Sequence, residues 1–213
     1  MTSLSVLQKV AIYILPVIFA ITLHEAAHAY MAKKYGDNTA QLLGRLSLNP
    51  LHHIDPIGTI FFPLVGLLLG GFIFGWAKPV PINYANLRNP KKDMFWIAIA
   101  GPLSNLAMAL MWALLLKLSF YLNGYFANPL ILMSKAGISI NIMLMILNLL
   151  PIPPLDGGRV LFSLLPQNLA IQYAKIEPYG MWIIIFLLLI GGLTFIIQPF
   201  YSIIINTILY LIQ

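Results

Sequence analysis

Five runs of the chain, roughly Leu4 to Ala32, Ile57 to Trp76, Met94 to Phe120, Leu130 to Leu150 and Met181 to Ile212, are apolar for twenty residues or more. Side chains of that kind place the backbone in hydrocarbon, where each N–H and C=O must find its partner within the segment, so the runs dictate α-helices. Composition agrees, because a 213-residue chain that is 60% hydrophobic and 8% charged, with a mean hydropathy of +0.88, does not stay folded in water. An all-α polytopic membrane protein is expected, with about 4–6 transmembrane helices. A single domain over 1–213 is expected, its core spanning roughly 4–160 and an apolar C-terminal segment spanning 179–213. Gly191, Gly192 and Pro199 interrupt that last segment, which crosses either once or as a hairpin. The second run contains Pro63 together with Gly66, Gly70, Gly71 and Gly75 and has basic residues on both sides, which favours a re-entrant segment over a full crossing.

The first run carries His24-Glu25-Ala26-Ala27-His28. On a helix the two histidines project from one face, so both imidazoles can hold one metal ion while Glu25 reaches a water beside it. Ionisable side chains within an apolar run cost about 2.5–3.5 kcal/mol each, which makes a functional site the default reading. The plainer alternative is a polar helix end at the membrane surface. With no cysteine, a tightly held metal must use His and carboxylate ligands. Most of the +6 net charge lies between the apolar runs, where it reads as topology and lipid-headgroup contact and not as a nucleic-acid surface. The first run has no small-residue cleavage site and is expected to stay in the mature chain.

A catalytic zinc takes three protein ligands and keeps one position open. Beyond the motif, the candidates are Asp37, His52, His53, Asp55, Asp93, Asp156 and Glu177. Positions 31 and 34 are Met and Lys, so the motif does not extend to a nearby third histidine. Asp156 is better placed than Glu177: it follows a span directly, on the proline-broken Pro151-Ile152-Pro153-Pro154-Leu155-Asp156-Gly157-Gly158. The same stretch also reads as a tight surface turn. For the His pair and Asp156 to meet, their two spans must run parallel, so an odd number of crossings must separate them. A re-entrant second run satisfies this and puts Lys33, Lys34, Arg45, Lys78, Arg88, Lys91 and Lys92 on one face, cytoplasmic by the positive-inside rule. Between the first two runs, Gly44-Arg45-Leu46-Ser47-Leu48-Asn49 alternates weakly and suits a short membrane-associated β-strand.

His24 to His28, the stretch Asn49 to Pro56, Gly101-Pro102-Leu103-Ser104-Asn105, and Asn148 through Asp156-Gly157-Gly158 together resemble the site-2 proteases, zinc intramembrane metalloproteases. The likeness runs from about Ile14 to Arg159 and is strongest to short prokaryotic members without PDZ or CBS domains. The resemblance implies one zinc per chain on His24, His28 and Asp156, with Glu25 activating water. It implies that Asn148, eight residues before Asp156, contacts the substrate backbone or the oxyanion. His53 matches a family histidine whose role is open: a donor behind the metal ligands, a transition-state contact, or a polar residue at a strand end. Asn105 reads as interhelical glue, and Asp55 either orients an imidazole or caps a helix.

The activity so implied is hydrolysis of peptide bonds within transmembrane segments of membrane-protein substrates, either to release a regulator or to clear signal-peptide remnants. The Gly44 to Asn49 strand would pair with the unwound substrate. A bilayer and a regulatory membrane partner are the other expected associates, the cell membrane is the expected location, and the active site is expected nearer its cytoplasmic face. The rival reading is a catalytically silent zinc scaffold or metal carrier, which has no need of Glu25.

Overall fold

Ser5 and Gln8 start the first helix by a reciprocal cap: the Ser5 hydroxyl accepts the Gln8 N–H at 3.3 Å and the Gln8 side chain accepts the Ser5 N–H at 2.9 Å. From there α1 (Val6–Lys34) runs 29 residues and ends on Lys33 and Lys34, whose charges suit a helix C-terminus. The structure is a computed structural model and describes residues 5–61, 78–122 and 124–212. The elements that follow are α2 (Thr39–Leu42), α3 (Pro90–Ser119), α4 (Ala127–Leu149), α5 (Asp156–Leu164), α6 (Gln167–Ala174), α7 (Glu177–Leu189) and α8 (Gly192–Ile212). Four of them, α1, α3, α4 and α8, are long and apolar enough to cross a membrane. Among the described residues the protein is all-helical.

The core is the α1–α3–α4 trio. Asn105 of α3 reaches the Ala20 carbonyl of α1, and His28 of α1 reaches the Ile97 carbonyl of α3, so these helices are antiparallel. Trp112 of α3 lies on Gly137 of α4 while Asn105 meets Asn141, so that pair is antiparallel as well. α1 and α4 therefore run parallel, as a meeting of the His pair with Asp156 requires. Lipid is as apolar as leucine, so close packing and buried hydrogen bonds hold such a bundle more than apolar burial does. The contact face of α1 accordingly uses small residues, with Ala20, Ala29 and Ala32 fully buried, while Leu7, Val10, Tyr13 and Ile14 face outward.

The C-terminal segment breaks at Gly191, whose φ of +73° a side chain would resist. Of the two helices that result, α7 has 13 residues, about 20 Å of rise, which is short of the ~30 Å hydrocarbon core; α8 has 21 and is long enough.

Two expectations about the connection from α1 to α3 resolve differently. Gly44 to Asn49 is not a strand. Its would-be ladder acceptors are taken by side chains, the Gly44 carbonyl by His52 Nδ1 at 2.6 Å and the Ser47 carbonyl by His53 Nε2 at 2.8 Å. Most of the apolar run Ile57 to Trp76, and with it the choice between crossing and re-entry, lies outside the described residues. The residues around it are tied together: the Lys78 N–H donates to the His53 carbonyl at 3.0 Å and the Arg88 N–H to the Tyr35 carbonyl at 3.2 Å. The end of α1 and the start of α3 thus share one end of the bundle.

Candidate metal centre

The sixth and seventh turns of α1 present His24 and His28 toward α3, and α3 meets them with Gly101. A Cβ there would lie 2.4 Å from His28 Nε2 and 2.6 Å from His24 Nε2, so only glycine admits both imidazoles. The third member arrives from α5. Asp156 opens that helix, folded so hard against the end of α4 that a Cβ on Gly157 would stand 2.2 Å from the Leu149 carbonyl oxygen. Asp156 Oδ2 comes to 3.1 Å from His24 Nε2 and 3.2 Å from His28 Nε2, and the two Nε2 atoms are 3.0 Å apart. All three residues are buried.

Hydrogen-bond partners fix what these atoms can do. Nδ1 of His28 faces the Ile97 carbonyl at 2.7 Å, which only accepts, so Nδ1 carries the proton. Nδ1 of His24 faces Asn105 Oδ1 at 2.6 Å. Asn105 is oriented in turn, because its Nδ2 donates to the Ala20 carbonyl at 3.2 Å and to Asn141 Oδ1 at 3.0 Å, while Asn141 Nδ2 donates to the Gly137 carbonyl. With both rings neutral in that tautomer, the Nε2 atoms point lone pairs at each other and at Asp156 Oδ2, a buried oxygen without a hydrogen-bond donor among the described residues. Lone pairs so placed repel unless a cation stands among them. Their spacing is close to the about 3.3 Å between ligand atoms that sit ~2.0–2.1 Å from a tetrahedral zinc. The residues fit such an ion, and three ligands leave it a free position.

Glu25 lies outside this group, half-buried beside it. Its Oε2 accepts the Val80 N–H at 2.9 Å. His53 is 1% exposed, with Nε2 on the Ser47 carbonyl and Nδ1 without a partner among the described residues, and it is not among the three converging residues. Asn148 donates to its own helix at the Leu144 carbonyl, 3.0 Å away, and has no hydrogen bond to the His–Asp group. Asp55 caps the helical turn Pro56–Phe61, accepting the Ile57 and Gly58 N–H groups. His52 is exposed.

Asn141, which the sequence did not single out, and Arg45 and Asp37, whose roles here it did not indicate, complete the surroundings. Asn141 carries the signal that marks Asn105, a lone amide in an apolar run, and is fully buried. Arg45 is buried and donates to the Lys78 and Pro79 carbonyls at 2.6 and 3.4 Å. Asp37, fully buried, accepts the Asn83 N–H at 2.7 Å, the Asn86 amide at 3.0 Å, and the hydroxyl and N–H of Thr39. Burial pushes its pKa up, but these donors outweigh it and hold the carboxyl below the usual carboxylate range.

Residues 125–191 match the model of peptidase family M50. The chain is 39% identical over 180 residues to YwhC of Bacillus subtilis, covering 83% of this chain and 78% of the relative. It is 31% identical over 195 residues to Rip2 of Mycolicibacterium smegmatis, covering 88% and 71%. An archaeal protein from Methanocaldococcus jannaschii, MJ0392, is 30% identical over 152 residues, covering 70% of this chain and 33% of that one. All three carry the words zinc metalloprotease in their names. No solved structure gave a match.

Proposed function

The chain belongs to peptidase family M50, the site-2 proteases, and from that premise we propose that it hydrolyses peptide bonds in transmembrane segments of membrane proteins, using one zinc ion per chain. The observation that carries the reading is the division of labour on α1. Three buried lone-pair donors converge on one point, while Glu25 stands beside them with its carboxylate on a loop amide. A metal carrier needs the first arrangement and has no use for the second.

Zinc held by His24, His28 and Asp156 supplies a Lewis acid that polarises a carbonyl and acidifies water. Asn105 and the Ile97 carbonyl keep the two imidazoles in the tautomer that offers Nε2. Glu25 accepts the proton from the attacking water and returns it to the nitrogen of the leaving amine. Asn148 and His53 are assigned to the substrate side, as donors to the backbone or the oxyanion. A substrate helix must unwind first, because helical amides are shielded by their own hydrogen bonds; helix-breaking residues near the cut favour cleavage.

Nine of the twelve Lys and Arg residues (33, 34, 45, 78, 88, 91, 92, 159 and 175) lie at the C-terminal ends of α1 and α4, the start of α3 and the segments joined to them, against Lys9, Lys117 and Lys135 toward the other end. This asymmetry supports a cell-membrane protein with its site nearer the cytoplasmic face. Regulation by a further membrane partner belongs to the same reading, as does one domain over 1–213.

The test is co-expression of a panel of tagged single-span proteins with wild type or Glu25→Gln, read as size shifts. Wild type cuts at least one member; Glu25→Gln, retaining its zinc, cuts none. Matching lanes across a panel rich in helix-breaking spans would sink the protease reading in favour of a scaffold or carrier.

A further inference from the structure

Between the end of Ile57 to Trp76 and the start of α3, the chain passes the site as Lys78-Pro79-Val80-Pro81-Ile82-Asn83. We propose that this strap positions the catalytic base: the Val80 amide holds Glu25 Oε2 and leaves the other carboxylate oxygen turned to the reacting water. The inference rests on the proteolytic reading above and adds a residue to it.

Four observations carry it. First, the Val80 N–H lies 2.9 Å from Glu25 Oε2, a contact between residues 55 apart in the chain and the only hydrogen bond of that carboxylate among the described residues. Second, the local sequence leaves one donor. Pro79 and Pro81 have no N–H, and the residue before each proline is biased toward extended backbone, so the strap offers Val80 alone at its centre. Third, both ends of the strap are fixed. Lys78 donates to the His53 carbonyl, Arg45 grips the carbonyls of Lys78 and Pro79, and Asp37 takes the Asn83 N–H. Fourth, the Val80 side chain is 5% exposed and packs with Ala29 and Ala40, so the amide is keyed to the helix that carries Glu25. A glutamate on a helix has three rotatable bonds; one charge-assisted hydrogen bond from a clamped amide selects among their rotamers. Catalytic bases are commonly oriented by a third group, and here the backbone provides it.

The strap also supplies its own readout, since a peptide across Pro79 to Pro81 contains one exchangeable backbone amide. Amide hydrogen exchange is measured on the full chain in lipid nanodiscs, wild type against Glu25→Ala. Val80 is expected to exchange faster in the variant by about tenfold or more, the effect of losing one hydrogen bond to a charged acceptor, while Asn83, held by Asp37, is unchanged. Equal exchange at Val80 in both proteins overturns the proposal. A second comparison uses whichever panel protein wild type cleaves and Glu25→Gln does not. Val80→Pro, which deletes the amide, lowers kcat about 100-fold further than Val80→Ala, which keeps it, with KM and zinc per chain matched between the two. Equal kcat for the two variants also overturns it. The exchange measurement needs no substrate, so its failure bears on the strap, whereas failure to find any cleaved protein bears on the proteolytic reading.

Discussion

His24 and His28 are fixed from inside the bundle, by Asn105 and by the Ile97 carbonyl, whereas Glu25, their neighbour on the same helix, is fixed from outside it by a loop amide. The inner half rests on helix–helix contacts: antiparallel α1 and α3, a glycine where the imidazoles need room, and a second asparagine behind the first. The outer half rests on contacts from Arg45, Glu25 and Asp37 to loop backbone. A rigid inner wall keeps a metal in place. On the proposed reading, an outer wall of separable loop contacts is where a substrate backbone would enter, and the two halves should fail differently when each is cut.

The strongest separation is expected from Asp156→Ala. It removes one of three ligands, so zinc should no longer copurify, while the fold persists in circular dichroism because Asn105 and Asn141 still join the helices. Next comes Asn105→Ala, which leaves every ligand in place and frees the His24 ring. Zinc affinity, read by chelator competition, should fall about 10–100-fold. A smaller change would move the metal's support from the Asn105–Asn141 pair to the bundle as a whole. Gly101→Ala pushes a methyl into both imidazoles and should cost about 1–3 kcal/mol of stability together with weaker zinc binding. Unchanged melting would show that α1 and α3 can part more easily than their contacts suggest.

The smallest effect belongs to the outer half. Asp37→Asn weakens the donor set around one buried carboxylate and should cost about 1–2 kcal/mol, with zinc content unchanged. Its pH dependence has a definite sign. The folded-state pKa of Asp37 lies below the unfolded value of ~3.9, so its contribution is complete above about pH 4 and is lost as pH falls through the lower folded value. Wild type and Asp37→Asn should therefore differ in stability at pH 7 and converge in acid below pH ~4, as melting at matched pH values would show.

The same contrast explains what could be read in advance. Polar residues inside apolar runs stand out, so His24, His28 and Asn105 were conspicuous, and the parallel-span requirement pointed from the His pair to Asp156. Asn141 carried that signal too, but its meaning lies in a partner 36 residues away. The outer half gave no comparable sign. An amide at Val80 looks like any other amide, and Arg45 and Asp37 look like ordinary loop charges until their backbone partners are seen. The misread strand at Gly44 to Asn49 has the same origin. Alternation describes a strand only where a neighbouring backbone is available, and here imidazoles take the carbonyls at Gly44 and Ser47.

His24 and His28 stand ten and six residues before Lys34, the last residue of α1, which places them about 15 and 9 Å along the helix from its end. On the proposed reading, a bond opened at that depth leaves the fragment on the near side with a stub of roughly six to ten helical residues, against the ~20 that a span needs. Such a stub cannot stay anchored. Detachment of the product would then be set by the position of two histidines along one helix, and partitioning into water would finish what hydrolysis began.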